Sequence, residues 1–228
     1  LVHSSLSSLG YVEGGADAVI DAFLDVLGPQ GTLLVPTLTG DESLSAANPP
    51  VFNPATQVCW TGVIPETLRR RPGAVRSLHP THSVAALGAD AGLLTRSHAL
   101  SVTPCDELSP YGMLAARPDA YIVLLGVTHE NSTMFHHVEE MAGVPYHMQP
   151  GFATATIIQG ETRTTRHIML HRYGTPRNFS VMEPLFVEQG IQHTGQIGAA
   201  TVRLVHIASM VRATLRAVAA DPRILCQA

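Results

Sequence analysis

Tyr121-Ile-Val-Leu-Leu-Gly-Val127 is an unbroken apolar run, and it leads within a few residues into Asn131-Ser-Thr-Met-Phe-His136-His137-Val-Glu139-Glu140. An apolar run this short and continuous reads as a strand covered on both faces. The segment after it reads as a helix, with Asn131-Ser132-Thr133 offering N-cap chemistry and Gly143 and Pro145 stopping it beyond Met141. A strand delivering titratable side chains to the start of a helix is where open α/β sheets place their sites.

Working outward, Leu1-Val2-His3 reads as the tail of a strand. Val19, Ala22, Phe23, Val26 and Leu27 recur at helical spacing and end at Gly28, a good C-terminal cap. Gly31-Thr-Leu-Leu-Val-Pro36 is a second buried strand, and the order strand, helix, strand is the βαβ signature. Gly40 to Pro54 is rich in Ser, Asn, Pro and Asp without periodicity, which predicts a long surface loop. Pro65 to Arg71 and Asp90 to His98 read as helices, and Ser83 to Leu87 as a strand between them. Ala153 to Ile158 and Thr162 to Met169 form a predicted β-hairpin turning at Gln159-Gly160-Glu161, and Ala200 to Ala219 is expected to be an amphipathic helix closed by Asp221-Pro222. No repeat or linker divides the chain, so residues 1–228 are expected to form one mixed α/β domain.

Composition narrows the function. With 228 residues, 45% hydrophobic and 14% charged, the chain can bury a sizeable core, which excludes a disordered protein. Its apolar runs fall short of the roughly 20 residues a membrane-spanning helix needs, and no signal-like segment opens it. A net charge of -4 argues against a nucleic-acid partner. Three scattered cysteines, Cys59, Cys105 and Cys226, give neither a disulfide framework nor a cysteine zinc site, so a cytoplasmic location is expected. All 14 basic residues are arginine, which excludes Schiff-base and P-loop lysine chemistry; the 12 histidines suit proton transfer near neutral pH.

On a helix His136 shares a face with Glu139, and His137 with Glu140; either pair joins an imidazole to a carboxylate, and either is equally readable as a solvated surface pair. His3-Ser4-Ser5-Leu6-Ser7-Ser8, between a strand and a helix, offers N–H and hydroxyl groups to a phosphate or amide chain, or is a plain serine-rich connection. No G-x-S-x-G surrounds these serines. His79-Pro-Thr-His82 has the spacing of a metal pair, but Pro80 keeps the two off one helical face and a structural turn is the stronger reading. Asp106-Glu107 is a cation-binding or merely solvated acidic pair.

At these residues the chain resembles the aminoglycoside 3-N-acetyltransferase family, also called the antibiotic N-acetyltransferases. The likeness runs through Val2-His-Ser-Ser-Leu-Ser-Ser-Leu-Gly10, Gly31-Thr-Leu-Leu-Val-Pro-Thr37, Gly62-Val-Ile-Pro-Glu66 with Arg69-Arg70, Arg76-Ser-Leu-His-Pro-Thr-His-Ser83, Thr133-Met-Phe-His-His-Val-Glu139, Thr175-Pro-Arg-Asn-Phe-Ser180 and Asp221-Pro222. It implies an α/β mixed-sheet fold of the antibiotic N-acetyltransferase type, not GNAT, and transfer of acetyl from acetyl-CoA to the 3-amino group of a 2-deoxystreptamine antibiotic, giving resistance. The reactive histidine falls on His136 in the pattern supplied by Thr133, His136 and Glu139, with His137 out of register. Glu139 is implied to orient His136 or to meet the substrate ammonium. Acetyl-CoA is implied to lie against His3, Ser4, Ser5 and Leu6, with Arg76, Ser77, Ser83 and Val84, and the acceptor against Asp106, Glu107 and Glu139, with Asp41 and Glu42 contributing.

Direct attack in a ternary complex needs no enzyme nucleophile and no metal. Relatives carry a helix and the beginning of a strand before the His-Ser-Ser motif, so a native N-terminal segment is expected to be missing here. The partner is expected to be an aminoglycoside or another small amine, without nucleic acid or membrane, and a homodimer is an open assembly. Three alternatives stand beside this reading: an acyl-CoA-dependent N-acyltransferase for a non-antibiotic amine, a non-catalytic coenzyme A binding protein, and a zinc hydrolase using His79, His82, His136 and Glu139.

Overall fold

The computed structural model describes residues 1–227, and the apolar run at Tyr121 lies at its centre. In chain order the first elements are β1 (Val2–Ser4), α1 (Gly15–Leu27), β2 (Thr32–Pro36), β3 (Val51–Phe52), α2 (Val63–Leu68), β4 (Val75–Arg76) and β5 (Val84–Gly88). The middle comprises α3 (Ala91–Thr95), α4 (Pro110–Ala115), β6 (Tyr121–Leu125), α5 (Met134–Ala142), β7 (Ala153–Gln159) and β8 (Thr162–Ile168). The chain closes with α6 (Glu183–Glu188), β9 (Gln192–Ile197), β10 (Ala200–His206) and α7 (Ile207–Ala220).

The strand β6 has β1 as a parallel neighbour and β10 as an antiparallel one, with β9 beyond, giving the order β1-β6-β10-β9. Ile122 and Leu124 are buried on one face with Phe135, Val138, Val205 and Met210, beneath α5 and α7. Val123 and Leu125 turn the other way, against Leu9 and the α1 side chains Val19 and Phe23. Helices therefore cover both faces, which is why the run shows no polar alternation; each such side chain stabilises the fold by about 1.5–3 kcal/mol. A second sheet, β2-β5-β4, is antiparallel, and a third, β3-β7-β8, carries the hairpin that turns at Gly160. The fold is thus an α/β domain with mixed sheets.

Three expectations need correction. Residues Ala200–His206 are strand, and the helix begins only at Ile207. Thr201-Val-Arg-Leu-Val205 is β-branched and fits an alternating pattern as well as a helical one; pairing beside β6, Val202↔Leu125 to His206↔Tyr121, decides the matter. The strand, helix, strand unit at the amino terminus is not a single-sheet βαβ: β1 joins β6, whereas β2 pairs along its whole length with β5, Thr32↔Gly88 to Pro36↔Val84. Finally, α5 has no side-chain N-cap bond. A 3-10 turn over His129–Asn131 brings the chain in, and Ser132 Oγ is buried without a partner. At its other end Gly143 adopts φ 62°, the left-handed conformation expected of its stop signal. The predicted loop from Gly40 to Pro54 is irregular apart from β3, which pairs in parallel with β7.

Candidate active site

The chemistry gathers where β1 and β6 end side by side and α5 begins. The i,i+3 spacing of His136 and Glu139 does put them on one face: His136 Nδ1 is 2.8 Å from Glu139 Oε2. Glu139 is completely buried and also accepts from Arg177 Nε at 2.6 Å, while His147 Nδ1 lies 3.1 Å from Oε2. Burial alone would raise the Glu139 carboxyl, but the His136 hydrogen bond and the neighbouring His136, His147 and Arg177 outweigh it and hold it below the usual range. A carboxylate accepting at Nδ1 fixes the proton there and leaves Nε2 of His136 as an acceptor, on a ring 27% exposed to the cleft.

The second pair separates. His137 Nδ1 bonds to the Cys105 carbonyl, and its ring is buried. Glu140 instead receives Thr103 Oγ1 and Cys105 N and lies 2.6 Å from His171 Nε2. Desolvation pushes Glu140 up to about 8.

His136 sits in the middle of a trough built of three joined hollows. The central one, about 240 Å³, is bounded by His3, Ser4, Trp60, Thr133 and Glu130. It shares Ser4, Val127 and Asn131 with a wide hollow of about 630 Å³ against Ser5, Leu6, Ser7, Tyr11 and Gly62. In the other direction it shares Leu38, Trp60, Glu130 and His136 with a hollow of about 270 Å³ that ends at Tyr173, Thr175 and Arg177. Gly62, at φ 118° with only the Ser4 carbonyl near where a Cβ would stand, keeps the wall of the wide hollow low.

Of the residues anticipated from sequence, the trough brings together His3, Ser4, Ser5, Leu6 and His136, with Glu139 directly behind. His3 is held neutral, burial pushing its imidazole to about 3. Ser5 N is already committed to the Leu125 carbonyl. Arg76, Ser77, Ser83 and Val84 do not line it. The Arg76 guanidinium donates to Thr37, Ser83 and the carbonyls of Pro54 and Gln57 and lies 5.0 Å over the Phe52 ring, where burial lowers it to about 10. Ser77 Oγ pairs with His98 Nδ1 and accepts from Val84 N. Arg76 thereby holds the end of the Gly40–Pro54 loop, at Phe52 and Pro54.

Asp106 and Glu107 also lie outside the trough. Asp106 accepts the N–H groups of Val102, Thr103 and Leu108, which closes its own turn, and Glu107 is exposed. Asp41, which accepts from Ser43, borders a small adjoining hollow with His82, His171 and Tyr173. His79 Nδ1 accepts from His82 N, the structural turn anticipated for His79-Pro-Thr-His82.

Sequence reading missed Glu130, Trp60, His147 and Tyr173; none stands in a pattern, and only the quoted Thr175-Pro-Arg-Asn-Phe-Ser180 segment flagged the neighbourhood of Arg177. No helix is long and apolar enough to cross a membrane among the described residues.

Known proteins resemble this chain over most of its length. The family model described as aminoglycoside 3-N-acetyltransferase matches residues 1–219. Aminoglycoside N(3)-acetyltransferase VII of Streptomyces paromomycinus is 32% identical over 230 residues, covering 90% of this chain and 79% of that protein. A mutant of aminoglycoside acetyltransferase AAC(3)-IVa in complex with a gentamicin superposes with a TM-score of 0.82 at 30% identity, covering 98% of this chain and 82% of the other. A binary structure of AAC-IIIb with CoASH has a TM-score of 0.80 at 28% identity, covering 95% and 88%.

Proposed function

This chain belongs to the aminoglycoside 3-N-acetyltransferase family, and from that premise we propose that it moves acetyl from acetyl-CoA to the 3-amino group of a 2-deoxystreptamine antibiotic, with His136 as general base. Membership makes it an acyltransferase. The observation that carries the finer reading is the position of His136: with Nδ1 engaged by Glu139, it lines both the central hollow and the acceptor hollow, and the central one also joins the wide hollow.

The wide hollow along Ser4, Ser5, Leu6, Ser7 and Gly62 suits the pantetheine arm and phosphates of the cosubstrate, since the exposed Ser5 and Ser7 hydroxyls border a long open surface. The opposite hollow takes the acceptor, with Glu130 as the exposed carboxylate for an ammonium group. An amine that has lost one proton attacks the thioester carbonyl, His136 Nε2 takes the second proton as the new C–N bond forms, and the thiolate leaves toward the wide hollow. Glu139 keeps Nδ1 protonated throughout and stabilises the imidazolium that results. Help of this kind is worth about 10²- to 10⁴-fold. Ser4 Oγ and Ser132 Oγ border the trough without any hydrogen-bonded base, so neither is activated as a nucleophile, which supports direct transfer in a ternary complex.

One observation favours a second reading, an acyltransferase for a less cationic amine. The acceptor hollow is lined by Arg172 and Arg177 as well as Glu130, so it is not strongly negative. A thiol-release assay with acetyl-CoA against gentamicin-type antibiotics and simple monoamines separates the two. Turnover confined to the monoamines would sink the antibiotic assignment, and no turnover with any amine would sink both.

A further inference from the structure

Leu38, Trp60, Glu130 and His136 line both the central hollow and the acceptor hollow, so they ring the neck through which an acceptor amine reaches the base. Two of them are held in place without being covered. Glu130 is exposed, and its Oε1 accepts from Ser180 N at 2.9 Å. Trp60 stands in the irregular stretch between β3 and α2 and is 62% exposed. Exposed side chains ordinarily hop between rotamers. This one is pinned at both ends, Trp60 N donating to the Leu38 carbonyl at 3.2 Å and the indole Nε1 to the Gly40 carbonyl at 2.9 Å. Its neighbours are tied down too, Cys59 N to Glu66 Oε2 at 3.2 Å and Thr61 Oγ1 to the Pro36 carbonyl at 2.6 Å.

Because the one polar atom of the indole is engaged by Gly40, the ring offers the trough only its carbon framework. Such a surface attracts apolar C–H groups, and it attracts cations through the negative charge of its π face. The Glu130 carboxylate attracts a cation as well. A saturated ring bearing an ammonium group satisfies both residues together: its C–H face covers the indole and its charge meets Glu130, with the reacting amine beside His136. A linear amine can meet Glu130 but covers little of the indole. We propose that Trp60 is a specificity-determining residue, selecting a ring-borne amine as acceptor by stacking one saturated ring against its indole. Side chains fixed before the acceptor arrives lose little freedom on binding it. Arg172 and Arg177 lie beyond the neck, in the acceptor hollow alone, and the Arg177 guanidinium is engaged by Glu139, the Thr175 carbonyl and the Tyr146 ring. The proposal deepens the reading of this hollow as the acceptor end and rests on it.

Trp60 is the single tryptophan of the chain, so tryptophan fluorescence reports on the neck alone. The probes are 2-deoxystreptamine and 1,3-diaminopropane, which carry the same pair of amino groups on the same carbon span with and without a ring. Titrated into the full chain, the first should shift the emission saturably, at a concentration about three- to thirtyfold lower than the second. In steady-state kinetics with a gentamicin-type antibiotic, Trp60→Leu should raise the Michaelis constant of the antibiotic by a similar factor. The acetyl-CoA constant and the melting temperature should stay nearly unchanged, whereas a merely structural role would move all three. Trp60→Phe keeps a ring, loses the pin to Gly40 and should recover part of the loss. Equal responses to the two diamines, calorimetric binding of 2-deoxystreptamine with silent emission, or an unchanged antibiotic constant in Trp60→Leu would overturn the proposal and leave the acceptor end in place. An emission shift with coenzyme A and none with any amine, or no response and no turnover at all, would overturn the proposal together with the assignment of that end.

Discussion

Glu139 has no atom in solvent, yet His136, His147 and Arg177 all converge on its two oxygens. Two consequences follow from so crowded a carboxylate. His136→Gln should lower kcat about 10²- to 10⁴-fold and leave acetyl-CoA affinity nearly unchanged, because the imidazole is the proton acceptor and the wide hollow is untouched. Equilibrium binding of coenzyme A beside steady-state kinetics checks it, and near-normal turnover would remove His136 from its role. Glu139→Gln should lower kcat and also cost on the order of 3 kcal/mol of stability, since Arg177 loses a buried counter-charge; a denaturant melt reads the second effect. At this scale the His136–Glu139 pair was legible because three residues along a helix is a local relation. Arg177 and His147 were not. Arg177 reaches the carboxylate from 38 residues away, and His147 returns to it from beyond the helix stop at Gly143, by contacts that leave no spacing signal.

Among the elements, β6 and α5 were readable because a run with no polar interruption and a glycine stop each have one strong local cause. The boundary at Ile207 was not, since β-branched residues satisfied two periods and only the neighbour β6 chose between them. The serine loop shows the same limit: its hydroxyls were visible in the sequence, while the use of Ser5 N by the sheet was not. Ser5→Pro should therefore lower the melting temperature by the equivalent of about 1–3 kcal/mol as well as weaken coenzyme A, because it deletes the donor to Leu125. Ser5→Ala, which keeps that N–H, should weaken coenzyme A only modestly and leave the melt in place. Equal melting of the two variants would show that the bond to Leu125 contributes nothing.

For the whole molecule, Glu140 ties three distant stretches together, the turn at Thr103, helix α5 and the segment beyond β8 at His171. With Glu140 raised from 4.5 to about 8 and His171 depressed below 6.5, the folded pair holds one proton across that span. The unfolded chain also holds one between 4.5 and 6.5 but none above, so stability should fall as pH rises from 6.5 to about 8. Glu140→Gln should flatten that limb; an unchanged slope of melting temperature against pH would refute the assignment. The trough, finally, has consequences for the rate law. Its wide hollow and its acceptor hollow share no lining residue and meet only at the centre, so an occupant of one end does not stand in the entrance of the other. Neither substrate then has to arrive first, and either product is free to depart first. Initial-velocity plots should intersect, and dead-end analogues of either substrate should compete only with their own kind.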